Sequence, residues 1–203
     1  MDKSAERFMK ILGILGLLLF VLFSSCKEKA PVPKPSSYLR TELPDHDYYT
    51  LKVDNPVVGF TAEISTLFSL SKNLSDLKFG FQELDLGAAN GTLLLYSKRF
   101  DTRDSLFKLI NAANDLVDEH KVKADQIDYL QIKDTDRKVF GTFFSLKGNV
   151  ATNYQFYLTD SSSRFIRGEL LLNCRPNYDS LRPVIDYLKV DMDRMLSSFR
   201  WNK

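Results

Sequence analysis

Residues that carry chemistry are scarce in this chain. Among 203 residues there are two cysteines, two histidines and one tryptophan, and each scarcity closes off a class of function. Two thiols, Cys26 and Cys174, cannot build a disulfide framework or a paired-cysteine zinc site. Any imidazole-based hydrolase would have to work with His46 or His120 alone. Gly-rich phosphate loops and the G-x-S-x-G nucleophile turn are absent. An excess of one charge sign is missing too: 28 Lys and Arg stand against 26 Asp and Glu, which leaves no broad basic footprint for nucleic acid.

The few candidates that remain have structural readings. In Asp45-His46-Asp47, three successive side chains point in divergent directions along an extended segment, so a polar turn after Pro44 is expected rather than a metal site. His120 falls near the C-terminal end of a helical stretch, where the helix dipole favours a partly charged ring. Asp134-Thr135-Asp136 opens like a calcium loop but lacks the central glycine and closing glutamate, and reads as a hairpin turn. Asp191 and Asp193 lie two apart on a helix, hence on different faces, and are expected in solvent. Cys174 ends the apolar run Leu170-Leu171-Leu172 and is expected to be buried. No catalytic residue, cofactor or metal is expected.

What the chain does have is an apolar run at its start. Ile11–Phe23 is preceded by Lys3, Arg7 and Lys10 and followed by Ser24-Ser25-Cys26, the charged, apolar and small-residue parts of a secretory signal. The run falls well short of the roughly 20 residues that span a hydrocarbon core. Residues 1–25 therefore read as a lipoprotein signal peptide, with Cys26 freed to carry the lipid. Residues 26–37 contain Pro31, Pro33 and Pro35 and read as a stiff tether, extending about 3.1 Å per residue in polyproline II. Residues 38–203 have the length of one ordinary domain.

Within that domain, alternating residues predict strands at Tyr38–Leu43, Tyr48–Val53, Val57–Ile64, Lys78–Leu86 and Gly91–Ser97, the last two joined as a hairpin through Gly87–Gly91. A helical period follows at 103–120, with Leu106, Ile110, Ala113 and Val117 on one stripe and Asp101 or Thr102 as cap. Strands resume at Gln126–Ile132, Lys138–Leu146, Thr152–Leu158 and Arg164–Asn173 as an antiparallel meander. A closing helix over Ser180–Phe199, capped by Asp179 with Pro183 in its first turn, repeats Leu181, Val184, Ile185, Leu188, Met192, Met195, Leu196 and Phe199. The fold class is α+β, a mainly antiparallel sheet packed by two amphipathic helices.

Two features suggest interaction. Asp104-Ser105-Leu106 and Asp179-Ser180-Leu181 match a short glycosylation pattern, although Asp and Ser are also ordinary helix-start residues. Asn149, Tyr154, Tyr178, Arg200 and Trp201 form a polar and aromatic set of the kind that dominates interface hot spots, with Trp201 alternatively folding back to close the core.

A resemblance emerges from Val139-Phe140-Gly141, Gly148-Asn149-Val150-Ala151, Gln155–Ser161, Pro176–Ser180, Tyr187-Leu188 and Phe199-Arg200-Trp201, with Pro33-Lys34-Pro35 and Tyr38-Leu39-Arg40 upstream. The chain resembles the gliding-motility lipoprotein D family (GldD) of the Bacteroidota. It departs from the family pattern at Asn55-Pro56-Val57 and Lys78-Phe79-Gly80-Phe81, where a Cys-Pro-aromatic run and a Trp-bearing strand are expected. The resemblance implies a non-enzymatic envelope lipoprotein supporting gliding and the associated type IX secretion machinery. Its implied partners are other envelope proteins of that machinery and the membrane through the lipid on Cys26. The anchor is expected in the outer membrane, with the domain facing the periplasm. A second reading, by analogy of fold alone, is a small-ligand or peptidoglycan-binding module of PsbP-like architecture.

Overall fold

The computed structural model describes residues 42–70 and 80–202, all within one compact unit, Ser36–Lys203. The signal segment, Cys26, the tether and residues 38–41 of the first expected strand lie outside the described residues. Among those described, ten strands and two α-helices form two antiparallel sheets.

The smaller sheet joins β1 (Tyr48–Val53), β2 (Phe60–Ser65) and the short β10 (Arg200–Trp201) in the order β1-β2-β10. The larger holds β3 (Ser69–Leu70), β4 (Phe81–Asp85), β5 (Gly91–Arg99), β6 (Ala124–Asp134), β7 (Val139–Gly148), β8 (Thr152–Thr159) and β9 (Arg164–Leu172), in the order β3-β4-β5-β9-β8-β7-β6. The four strands after the first helix are the expected meander. The β4–β5 hairpin is also as expected, closed by the Leu86 N–H donating to the Gly91 carbonyl at 2.9 Å. Glu42 and Leu43, the described end of the strand expected at Tyr38–Leu43, are not in a strand, and the strand expected from Val57 begins at Phe60.

Period-two alternation gives the large sheet two faces. Val139, Phe143, Tyr154, Phe156, Leu158, Ile166 and Leu170 belong to the main core, whereas Phe165 and Leu146 belong to separate clusters on the opposite face. Helix α1 (Arg103–Asp118) covers that second face through Leu106, Ala113 and Val117. Thr102 caps it, its Oγ1 accepting the Ser105 N–H at 3.2 Å. Gly168 stands opposite Phe156 in the β8–β9 register, and a Cβ there would run into the Phe156 ring. The missing side chain is what lets the ring lie across the neighbouring strand.

Helix α2 (Tyr178–Ser198) packs between β2 and the first face of the large sheet. Its buried residues Val184, Ile185, Leu188, Asp191, Met192, Met195 and Leu196 cover about 140° of arc at 100° per residue, enough to meet both sheets. The cap is Asn177 rather than the expected Asp179, with Oδ1 accepting from the Ser180 N–H at 3.4 Å. Helix α2 thus starts two residues earlier than the sequence pattern suggests, and Pro183 falls in its second turn. The missing N–H leaves the Asp179 carbonyl without its usual donor, at an exposed residue where water can supply one.

Beyond α2 the chain folds back. Phe199 stacks on Phe60 at 5.2 Å, Trp201 meets Phe199 edge-on at 4.8 Å, and the Trp201 Nε1–H donates to the Lys138 carbonyl at 2.9 Å. Arg137, oriented by Asp134 at 2.7 Å, donates to the Ser197 and Phe199 carbonyls. These are among the carbonyls a helix C-terminus leaves without intrahelical donors. Asp134-Thr135-Asp136 is therefore the hairpin turn expected, and it ties β6–β7 to the end of α2. Cys174 is exposed rather than buried, because β9 ends at Leu172 and the chain bends away.

The β8–β9 turn is organised by Asp160, which is 5% exposed. Burial on its own raises the pKa of this carboxyl. The Ser163 N–H, the Arg164 guanidinium and the Arg164 and Ser162 N–H groups outweigh burial and hold it well below the usual carboxylate range. A depressed folded pKa stabilises the native state above the unfolded value and is lost as pH falls below about 4. Asp160→Ala is expected to cost about 2–4 kcal/mol near pH 7 and to flatten the acid limb of the stability curve. Urea unfolding from pH 7 to pH 3 measures both; an unchanged acid limb would refute this role.

Candidate functional site

The five residues singled out as an interaction set do not form one surface. Tyr154 is only 5% exposed, and its hydroxyl donates to the Ile185 carbonyl at 3.1 Å. Burial raises its pKa, with the Asp186 charge adding to the effect. Tyr154 is thus a core residue that clamps β8 to α2, because it shares the inward face of the strand with Phe156 and Leu158. Asn149 is exposed, and its Oδ1 accepts the Tyr178 N–H at 2.8 Å, fixing the start of α2. Arg200 and Trp201 lie beyond the other end of that helix, about 30 Å away at 1.5 Å per residue. Arg200 is exposed, whereas Trp201 is half-buried against the core. The fold-back reading of Trp201 describes its position.

The two histidines have partners the sequence did not suggest. Asp191, expected in solvent, is fully buried, and its Oδ1 lies 2.7 Å from His46 Nδ1 across 145 residues. A carboxylate only accepts, so His46 Nδ1 is the donor. The His46 ring stacks on Tyr187 at 4.1 Å and runs parallel to Tyr48 at 6.3 Å. Both phenols have pKa values raised first by burial and then by the Asp191 charge. Asp193, two residues on, is exposed and pairs with Lys189 at 2.6 Å, as expected of a solvated residue. His120 lies in the 3₁₀ turn after α1, with Nε2 3.1 Å from Thr152 Oγ1. Among the described residues, no three or more His, Cys, Asp or Glu side chains converge as a metal site.

Ser105 and Ser180 both occupy the third position of a helix, each with its N–H accepted by the capping side chain. The caps at both places are Thr102 and Asn177, so the Asp-Ser pairs lie in the first helical turn and do not supply the cap side chains.

The surface best suited to contact is one that single residues did not reveal. Strand β6 spans eleven residues at one end of the large sheet, and among the described residues no strand pairs with its outer edge. A row of backbone donors and acceptors is therefore available to another chain. Tyr129 and Leu130 at its centre are 73% and 59% exposed. On the Leu130 face runs a groove of about 330 Å³ lined by Leu130, Ile132, Phe143 and Leu196, with Arg137, Lys189 and Asp193 at its polar positions. Exposed apolar area beside an open ladder is the combination used when an extended segment adds to a sheet. The alternation of β6 was legible in the sequence, but its place at the edge depends on strand order.

Compared with protein-family models, residues 28–201 match the family described as gliding motility lipoprotein GldD. No curated protein matches the chain. None of the helices among the described residues is long and apolar enough to cross a membrane.

The His46–Asp191 pair makes a non-additive prediction. His46→Ala leaves a buried carboxylate uncompensated and is expected to cost about 3–5 kcal/mol, whereas His46→Ala with Asp191→Leu should recover much of that loss. Urea denaturation of both singles and the double closes the cycle. Simple additivity would show that the two side chains do not act as a pair.

Proposed function

The chain belongs to the gliding motility lipoprotein GldD family, and on that premise we propose that it is a structural or assembly component of the gliding and type IX secretion machinery, acting by protein contact. Membership makes it a membrane-anchored lipoprotein of the cell envelope. The finer reading is that Cys26 carries the lipid after removal of residues 1–25, that residues 26–37 are the tether, and that the domain faces the periplasm from the outer membrane.

The observation that carries the contact reading is the open edge of β6. The occupant is an extended segment of another envelope protein of that machinery, added antiparallel or parallel to β6. Its apolar side chains would enter the groove between Leu130 and Leu196 while its backbone completes the ladder. Catalysis is not needed for such a role, and the side chains with unusual surroundings support this. Asp160 holds a turn, Tyr154 clamps a helix, and Asp191 fixes the segment that enters β1.

Two experiments test the reading. A photo-crosslinking amino acid at Tyr129 in living cells is expected to capture a gliding or type IX secretion component, and Leu130→Lys should abolish the adduct and impair gliding with little change in thermal stability. Recovery of only abundant unrelated proteins, with gliding intact in Leu130→Lys, would overturn it. Metabolic labelling with a fatty acid is expected to mark the wild type and leave Cys26→Ser unlabelled; an unlabelled wild type would remove the anchor from the account.

A further inference from the structure

Where the two sheets meet, away from β6, a cleft of about 470 Å³ opens between the β1–β2 loop, the end of β5, the start of β9 and the residue after β10. Its polar lining is Asp54, Asn55, Arg99, Ser163, Arg164 and Asn202. The size is that of a small-ligand site.

The charges in this cleft are arranged unusually. Arg99 and Arg164 stand directly opposite each other in the β5–β9 register, a placement that is unfavourable for like charges unless something offsets it. Arg164 is offset and held: its Nε donates to Asp160 Oδ2 at 2.7 Å, its Nη1 donates to the Asn202 carbonyl at 2.7 Å, and its guanidinium lies 5.5 Å over the Trp201 ring. Arg99 is held without being offset. Its Nε donates to the Val57 carbonyl at 2.8 Å, and among the described residues no carboxylate pairs with it, so both terminal nitrogens keep their donors.

Asn55 adds a second, independent sign. It is 7% exposed, and its Oδ1 is engaged by the N–H groups of Val57 and Val58 at 2.7 and 3.3 Å. Its Nδ2 is buried with no acceptor. Buried donors are nearly always satisfied, and this unsatisfied one belongs to a residue that lines the cleft. The one acid on the lining, Asp54, is already engaged by Lys52 at 3.1 Å and by Asn202 Nδ2 at 3.4 Å. Among the described residues, no acceptor is placed on the Arg99 terminal nitrogens or on Asn55 Nδ2.

We propose that this cleft binds the oxyanion head, carboxylate or phosphate, of a small ligand, with Arg99 as its charge partner and Asn55 Nδ2 as a further donor. Arg guanidinium groups suit both kinds of head through paired N–H bonds. Arg164 is kept in place by its own acid and presents the remaining edge of its guanidinium. The site shares no residue with β6 or its groove, so its failure would leave the contact surface standing, and the converse holds.

Trp201, the only tryptophan in the chain, is a built-in reporter because Arg164 lies over its ring. Full-length acylated protein in non-ionic detergent is titrated with inorganic phosphate, with N-acetyl-alanyl-alanine, and with the C-terminal amide of that dipeptide. Ionic strength is matched with sodium chloride. Trp201 fluorescence and the Asn55 side-chain amide resonance are followed together. Saturation is expected with phosphate, with the dipeptide acid or with both, and not with the amide or the chloride. Saturation by phosphate alone assigns a phosphate head, and saturation by the acid alone assigns a peptide carboxylate. Arg99→Gln should weaken binding at least tenfold, with Arg99→Lys intermediate. Asn55→Asp keeps the Oδ1 acceptor of the turn, places a carboxylate in the cleft and should abolish binding. No saturable response to either oxyanion in the wild type, or equal affinity in folded Arg99→Gln and Asn55→Asp, overturns the proposal.

Discussion

The structure depends on one helix being buried from two sides. Helix α2 carries an apolar arc that reaches both β2 and the inner face of the large sheet, and it joins the two sheets in one core. The small sheet is not self-sufficient. It has two full strands and a two-residue third, and a two-stranded hairpin is marginal in water. The polar contacts at the helix boundaries follow from this. Asn177 and Asn149 set its start, Arg137 satisfies its last carbonyls, and Asp191 on its edge receives His46 from the segment that leads into β1. Such a buried acid is worth little as net stability but specifies where the N-terminal segment must lie.

Much of this architecture was legible in the chain. Alternation located β1 and the β6–β9 meander, and the 3.6 period located both helices, because apolar residues recur along each at the period of its backbone. The resemblance carried by Gly148-Asn149 and Pro176–Ser180 now has a physical basis: Asn149 Oδ1 accepts the Tyr178 N–H, so two distant motifs form one joint at the start of α2. Trp201 was readable as a closing residue from its place after an amphipathic helix.

What the chain could not show is partnership across long separations. His46 and Asp191 are 145 residues apart, and a helical aspartate two positions from another reads as solvated until the facing element is known. Tyr154 looked like a surface aromatic because it sits among polar neighbours. Its alternation with Phe156 and Leu158 was the available signal, and it pointed inward. Cys174 failed in the opposite sense, since an apolar run predicts burial only while the strand continues. The cap of α2 was misplaced by two residues because Asn177 and Asp179 both have capping side chains, and only the backbone decides between them.

The outer edge of the large sheet carries its own protection. At one end of the large sheet, the described part of β3 is Ser69–Leu70. At the other end, β6 offers eleven residues, and its protection is chemical rather than geometric. Asp125, Asp128, Lys133 and Asp134 alternate with Ile127, Tyr129, Leu130 and Ile132 along it. Charged residues on an edge discourage indiscriminate pairing while leaving the ladder open to a strand with complementary charges. Asp128 is already engaged by Lys147 at 3.0 Å, which leaves the centre of the strand, at Tyr129 and Leu130, as its most apolar stretch. An edge kept merely because nothing covers it would need blocking along its whole length. This one is charged toward its ends and open in the middle, beside an apolar groove, which is the pattern that the proposed pairing with one chosen segment requires.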